Sequence, residues 1–336
     1  MEGITVALDL MGGDFGPRMS VPAIKQALTF YADLNIIAYG REHEVIGLLR
    51  SENLTDNSRV EFINAADVVY NDENPISALR HKRQSSLWKA IEAVSNHKAM
   101  GAVSAGNTGA MVAIANHLLG NISGIHRSAL VKVLPSLNKN GTVFLDLGAN
   151  LHCDQEVLCQ FAIMGSVLAS EHLKIDNPRV AILNVGRENC KGSEVLQKAS
   201  ELLRQYKGIN YIGYAEGNDI FSDYADVVVT DGFSGNIALK TAEGLYRVIE
   251  KKIYGNSSLL HKILIPLKNI VKSRITHMQP DGFNGSSLIG LNGVVVKSHG
   301  AADTSALVNA MAQAYRECKN QMPRQIADGL VNLKGA

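Results

Sequence analysis

Small residues carrying hydroxyls and amides, set between a strand-like and a helix-like stretch, fill the segment Ala102-Val-Ser-Ala-Gly-Asn-Thr-Gly-Ala-Met111. Ser104, Gly106, Asn107, Thr108 and Gly109 fall at the junction itself. There the free N–H groups of a helix start, and the positive end of its dipole, surround a small concavity suited to an anion such as phosphate. Glycine lets that anion approach the backbone, because no Cβ intervenes. The device recurs where Asp231-Gly-Phe-Ser-Gly-Asn236 links an apolar run, 226–230, to a helical pattern over 237–244. One such loop is a weak signal, since Asn and Asp are ordinary helix caps. Two on one sheet point to an enzyme that handles anions.

Such loops work only if a scaffold aims them at one another. Short apolar, β-branched runs at 4–10, 35–39, 60–64, 101–104, 142–147, 179–185, 210–214, 226–230 and 294–297 alternate with helix-like stretches. Several carry almost no polar residue, as expected for strands covered on both faces. The alternation predicts an α/β fold with a doubly wound, mainly parallel sheet and helices on both faces. In such sheets ligands bind beyond the carboxyl ends of the strands. Residues 1–336 carry no linker rich in Pro or Ser, so the chain reads as a single large α/β/α catalytic domain. With 46% hydrophobic residues it can bury a substantial core. A net charge of +1 gives no global pull toward nucleic acid. Cys153, Cys159, Cys190 and Cys318 form no C-x-x-C pair, which fits a reduced, cytoplasmic protein. The first residues show no basic leader, and no apolar run is long enough for a membrane-spanning helix.

One segment departs from this rhythm. Residues 251–280 contain no acidic residue, while Lys251, Lys252, Lys262, Lys268, Lys272 and Arg274 are basic. Leu259, Leu260, Ile263, Leu264 and Leu267 recur at helical spacing, interrupted by Pro266. The pattern predicts an amphipathic helical segment, spanning 245–281, inserted outside the sheet. Nucleotide fingerprints fail. In Gly186-Arg-Glu-Asn-Cys-Lys-Gly-Ser193 the Lys and Gly stand in the wrong order for a Walker loop, and Met11-Gly-Gly-Asp-Phe-Gly-Pro17 is not G-x-G-x-x-G.

Taken in order, Asp9-Leu-Met-Gly-Gly-Asp-Phe-Gly-Pro17, 104–110, Leu145-Asp-Leu-Gly-Ala-Asn150, Leu183-Asn-Val-Gly186 with Lys191-Gly192, 231–240 and Val296-Lys-Ser-His-Gly300 resemble the signatures of a known family. It is the bacterial phosphate acyltransferase family of phospholipid synthesis. The likeness runs from Ile4 to about Ala314. Asn74-Pro75 and His126-Arg-Ser128 depart from the family's usual Lys-Pro and Arg-Pro. The resemblance implies a fold like that of phosphotransacetylases and isocitrate-type dehydrogenases, and a homodimer. It also implies transfer of a fatty acyl group from acyl carrier protein to inorganic phosphate. That attack needs no metal, redox cofactor or enzyme nucleophile.

The residues suit this chemistry. Asn236, Lys191 and His299 are the expected catalytic groups, as oxyanion donor, phosphate-neutralising cation and proton donor to sulfur. The 104–109 loop, Asp146, Asn150, Asp231, Lys240 and Lys297 are expected to bind phosphate and thioester. Arg80, Lys82 and Arg83 offer a basic landing site for the acidic carrier. Leu259, Leu260, Ile263 and Leu264 are expected to touch an anionic membrane surface, at the inner face of the cell membrane. There the acyl phosphate would meet a membrane acyl-phosphate:glycerol-3-phosphate acyltransferase. A short-chain phosphotransacetylase using coenzyme A would need neither the basic cluster nor the amphipathic segment. A dinucleotide-dependent dehydrogenase would need a glycine fingerprint, and a catalytically inert membrane scaffold would not need the full set of strand-end motifs.

Overall fold

The computed structural model describes residues 3–137, 140–254 and 285–334. Leu259, Leu260, Ile263 and Leu264, and with them most of the expected amphipathic segment, lie outside the described residues. Eleven strands form one sheet: β1 (Ile4–Asp9), β2 (Leu34–Gly40), β3 (Val60–Asn64), β4 (Gly101–Ser104), β5 (Ala129–Leu134), β6 (Thr142–Leu145), β7 (Arg179–Leu183), β8 (Asn210–Ala215), β9 (Val227–Val229), β10 (Ser286–Ile289) and β11 (Val294–Lys297). Their spatial order is β3-β2-β1-β4-β11-β10-β5-β6-β9-β7-β8. The nine sequence-predicted strands are all present. β5 and β10 are additional, and both lie in the middle of the sheet.

Helices cover both faces: α1 (Pro17–Phe30), α2 (Glu42–Ser51), α3 (Pro75–His81), α4 (Ser86–Ser95), α5 (Thr108–Leu119), α6 (Gln155–Leu173), α7 (Glu194–Gln205), α8 (Gly232–Tyr254), α9 (Thr304–Lys319) and α10 (Met322–Lys334). Strand side chains alternate between the two faces. Ala7, Ala102, Phe144, Ala181 and Val228 join a core under α4 and α5 that runs along one face. Their neighbours go the other way. Val6, Val103 and Val296 meet α1 and α9, while Val143, Leu145, Val180 and Val227 meet α6, α7 and α10. This three-layer packing explains why the strands read as unbroken apolar runs. Among the described residues no helix is long and apolar enough to cross a membrane.

The sheet is mainly parallel, but its two ends run in opposite directions. β1, β2, β3, β4 and β11 pair in parallel, and so do β6, β9, β7 and β8. Antiparallel pairings β11–β10, β10–β5 and β5–β6 join the blocks and reverse the direction. Register then decides where the site forms. Lys297 pairs with both Ser104 and Ser286, Lys132 pairs with Phe144, and Phe144 pairs with Val228. Ser287 opposes Val131, which puts Ser286 and Lys132 at the same level. The carboxyl ends of β4 and β11 therefore meet those of β6 and β9 head to head, across β10 and β5. The loops that follow β4, β11 and β6, and the helix α8 that follows β9, border one cleft.

Candidate active site

The first wall of the cleft is the β4–α5 loop. Beneath it, buried Ser104 donates its hydroxyl to Asp9 Oδ2 at 2.7 Å and accepts the Gly106 N–H at 3.0 Å. Burial raises the Asp9 carboxyl above its ordinary range, against the lowering effect of hydrogen bonds from Ser86, Ser104 and the Met11 and Gly12 backbone. Asn107 caps α5, its Oδ1 accepting from Ala110 N at 3.0 Å. Its Nδ2 donates to the carbonyls of Tyr70, Asn71 and Glu73. The Asn107 amide is thus engaged in holding two loops together, and what this wall offers a ligand is backbone. Gly106, Asn107, Thr108 and Gly109 line the cleft where α5 begins.

The second wall is built around Asp146. Fully buried, it accepts the N–H groups of Leu130, Gly148, Ala149 and Asn150 at 2.7–3.2 Å, and the Asn150 side-chain amide at 2.9 Å. Burial raises its carboxyl, and those hydrogen bonds oppose the rise. Asn150 also donates to the Ser128 carbonyl at 2.7 Å. Asp146 and Asn150 therefore shape the loop from below. Asp231 caps α8, accepting the Ser234 N–H at 2.7 Å. The start of α8 presses against the Asp146 loop so closely that a Cβ on Gly235 would lie 1.9 Å from the Asp146 carbonyl oxygen. Only glycine permits that approach, and it sets Asn236 over Gly148, facing the cleft.

Cationic groups converge between these walls in a cleft of 440 Å³. Lys297, at the end of β11, is 9% exposed and donates to the carbonyls of Ala105, at 3.2 Å, and Ser298. Burial, with the nearby charge of Lys240, lowers its ammonium to about 8. His299 Nδ1 accepts the Ala301 N–H at 3.1 Å, which leaves Nε2 as the proton-bearing nitrogen of the neutral ring. Nε2 lies 3.3 Å from Lys240 Nζ and 3.7 Å from Glu243 Oε2. Lys240 Nζ reaches the same carboxylate oxygen at 2.9 Å. Burial alone would raise the Glu243 carboxyl, but the hydrogen bonds and charges of His299 and Lys240 bring it down to about 2. Lys132, buried on β5, also lines the cleft.

Asn236, Lys240, Lys297, His299 and the 106–109 backbone, each expected from sequence, thus come together. Glu243 and Lys132 were not foreseen. Glu243 follows Lys240 by three residues and Asn236 by seven, so the helical spacing of α8 carried its signal. Lys191 does not line this cleft. It is exposed in the β7–α7 loop, where its carbonyl accepts from Asn184 Nδ2 at 3.1 Å. Asp231 faces a neighbouring cavity together with Asn184, Gly192 and Ser234. Of the basic cluster, Lys82 is paired with Asp67 at 2.8 Å, while Arg80 and Arg83 are exposed and Arg83 stacks over Trp88.

Known proteins agree with this architecture. The profile of a family described as "Fatty acid synthesis protein" matches residues 4–325. A phosphate acyltransferase of Aeromonas salmonicida is 46% identical over 334 residues, covering 99% of this chain and 98% of that one. One from Shewanella woodyi is 44% identical, again over 99% and 98%. Among solved structures, a phosphotransacetylase from Streptococcus pyogenes superimposes with a TM-score of 0.64 at 17% identity, over 94% of each chain. A branched-chain phosphotransacylase from Enterococcus faecalis gives 0.56 at 13% identity, over 93% of this chain and 99% of that one. These two establish the fold.

Proposed function

The chain belongs to the phosphate acyltransferase family, enzymes of fatty acid synthesis, and we propose that it moves a long-chain acyl group from acyl carrier protein to inorganic phosphate. The observation that carries this reading is the meeting of Lys297, Lys240 and His299 with two helix starts in one cleft. Phosphate sits against the 106–109 backbone, with Lys297 and Lys240 balancing its charge. The thioester carbonyl enters between it and Asn236. A phosphate oxygen attacks the carbonyl carbon, forming a C–O bond, and the Asn236 amide stabilises the tetrahedral oxyanion. Collapse breaks the C–S bond. The proton of hydrogen phosphate goes to the departing sulfur, which the Nε2–H of His299 steadies by a hydrogen bond, so the products are acyl phosphate and a free carrier thiol. Holding both reactants in line supplies about 7–11 kcal/mol of the barrier, and one well-aimed oxyanion donor about 2.7–4 kcal/mol.

The exposed arginines Arg80 and Arg83 support carrier docking by charge complementarity. The alternation of Lys with Leu and Ile over 251–275 supports a homodimer that rests on anionic lipid at the inner face of the membrane, where a membrane acyltransferase consumes the acyl phosphate. The fold neighbours favour one rival, a short-chain transacetylase using coenzyme A. Incubation with phosphate and either palmitoyl carrier protein or acetyl coenzyme A separates the two. The proposal predicts thiol release and acyl phosphate with the carrier. Turnover confined to coenzyme A would reject it.

A further inference from the structure

The cleft does not end at Glu243. A second cavity, of 490 Å³, opens along α8 and shares Lys132, Leu239 and Glu243 with it. One wall is a helical stripe of Ala238, Ala242, Leu245 and Ile249. Facing it are Leu134 at the end of β5 and Pro135 just beyond, with Ile220 and Phe221 of the short 3-10 helix Gly217–Phe221. Charge is distributed unevenly. Among the described residues of its lining, Lys132 and Glu243 are the charged ones, and both stand at the seam with the polar cleft.

We propose that this cavity holds the hydrocarbon tail of the acyl group, on the reading that the polar cleft performs phosphate acyl transfer. An elongated apolar slot with polar groups at one end fits an amphiphile whose single polar function stays behind. A fatty acyl thioester is such a molecule, with its carbonyl at Asn236 and its tail running along α8. An acetyl group would end at the seam and leave the slot unused. Burial of each methylene then strengthens binding about fourfold until the slot is full. The tail is held between residues 238 and 249 of α8.

The test compares octanoyl and palmitoyl thioesters of the same carrier protein, so that carrier docking is constant. The wild type is expected to favour palmitoyl in kcat/KM. Ala242→Trp, which fills the slot, is expected to cut the palmitoyl-to-octanoyl ratio at least tenfold. Leu245→Asp, at a position already 61% exposed where the fold admits a polar side chain, is expected to lower the ratio in the same direction. An unchanged ratio in both variants would overturn the assignment while leaving the transfer reaction standing. An unchanged ratio with an altered oligomeric state would give the slot to subunit packing instead. Absence of wild-type turnover with any acyl thioester would remove the reading on which the inference rests, and the inference with it.

Discussion

Lys297 is the residue whose chemistry is most open to measurement. Its ammonium is buried beside a second cation, and both effects favour the neutral amine, bringing it from the ordinary 10.5 to about 8. In the proposed reaction phosphate binding depends on the charged form. Affinity for phosphate is therefore full below pH 8 and is lost as pH rises through it. The expected result is a phosphate KM that climbs above pH 8 in the wild type. Lys297→Arg, which keeps its charge, should abolish that climb, and Lys297→Met should raise KM by about ten- to a hundred-fold at neutral pH. Steady-state kinetics at varied phosphate and pH would show it. A KM that ignores both pH and the Met substitution would mean that Lys297 does not face the anion. Glu243 turns one carboxylate oxygen to both neighbours, 2.9 Å from Lys240 Nζ and 3.7 Å from His299 Nε2.

At the scale of elements, α8 is the critical piece. Its N-terminus carries Asn236, its next turn carries Lys240 and Glu243, and its far part lines the apolar slot. Everything depends on its close approach to the Asp146 loop at Gly235. Gly235→Ala would force a 1.9 Å contact apart, so we expect a loss of about 1–3 kcal/mol in stability and a large fall in kcat. Denaturant unfolding beside turnover measures both. A stable, fully active variant would show that the helix start has room to move. This element also marks the limits of sequence reading. Strands buried on both faces announce themselves as apolar runs, and cap residues announce the loops. β5 and β10 did not, because Lys132 interrupts Ala129-Leu-Val-Lys-Val-Leu134 and Ser286-Ser-Leu-Ile289 is short and half polar. Those two strands reverse the sheet and place Lys132 in the cleft. Lys191 was expected there because it sits in a glycine-flanked loop after a strand. Local pattern cannot say that β7 lies outside β9, away from the seam.

For the molecule as a whole, the head-to-head sheet explains how two ordinary helix starts come to face one cleft. A single parallel block would point all its loops to one edge. Here two blocks of opposite direction close a cleft between them, seamed by antiparallel strands. The seam has its own pH signature. Glu317 of α9, 3% exposed, accepts from Ser287 of β10 and from Gln313 at 3.1 Å. Burial raises it from its ordinary 4.5 to about 7, despite those bonds. The folded protein thus keeps a proton that the unfolded chain has released. This contribution is present below pH 4.5 and lost as pH rises through 7, amounting to roughly 3 kcal/mol. Glu317→Gln should flatten the pH dependence of unfolding across that window and stabilise the protein at pH 8. An unaltered slope would contradict the burial argument.

In the proposed reaction phosphate itself attacks the thioester. That attack is tested most directly by supplying oxygen-labelled inorganic phosphate with palmitoyl carrier protein and following label into the acyl phosphate and, after cleavage of its P–O bond, into the fatty acid. Direct attack predicts that the bridging oxygen derives from phosphate, so that palmitate released by P–O cleavage carries one labelled oxygen. Palmitate without label, or thiol released at the same rate when phosphate is omitted, would contradict the account.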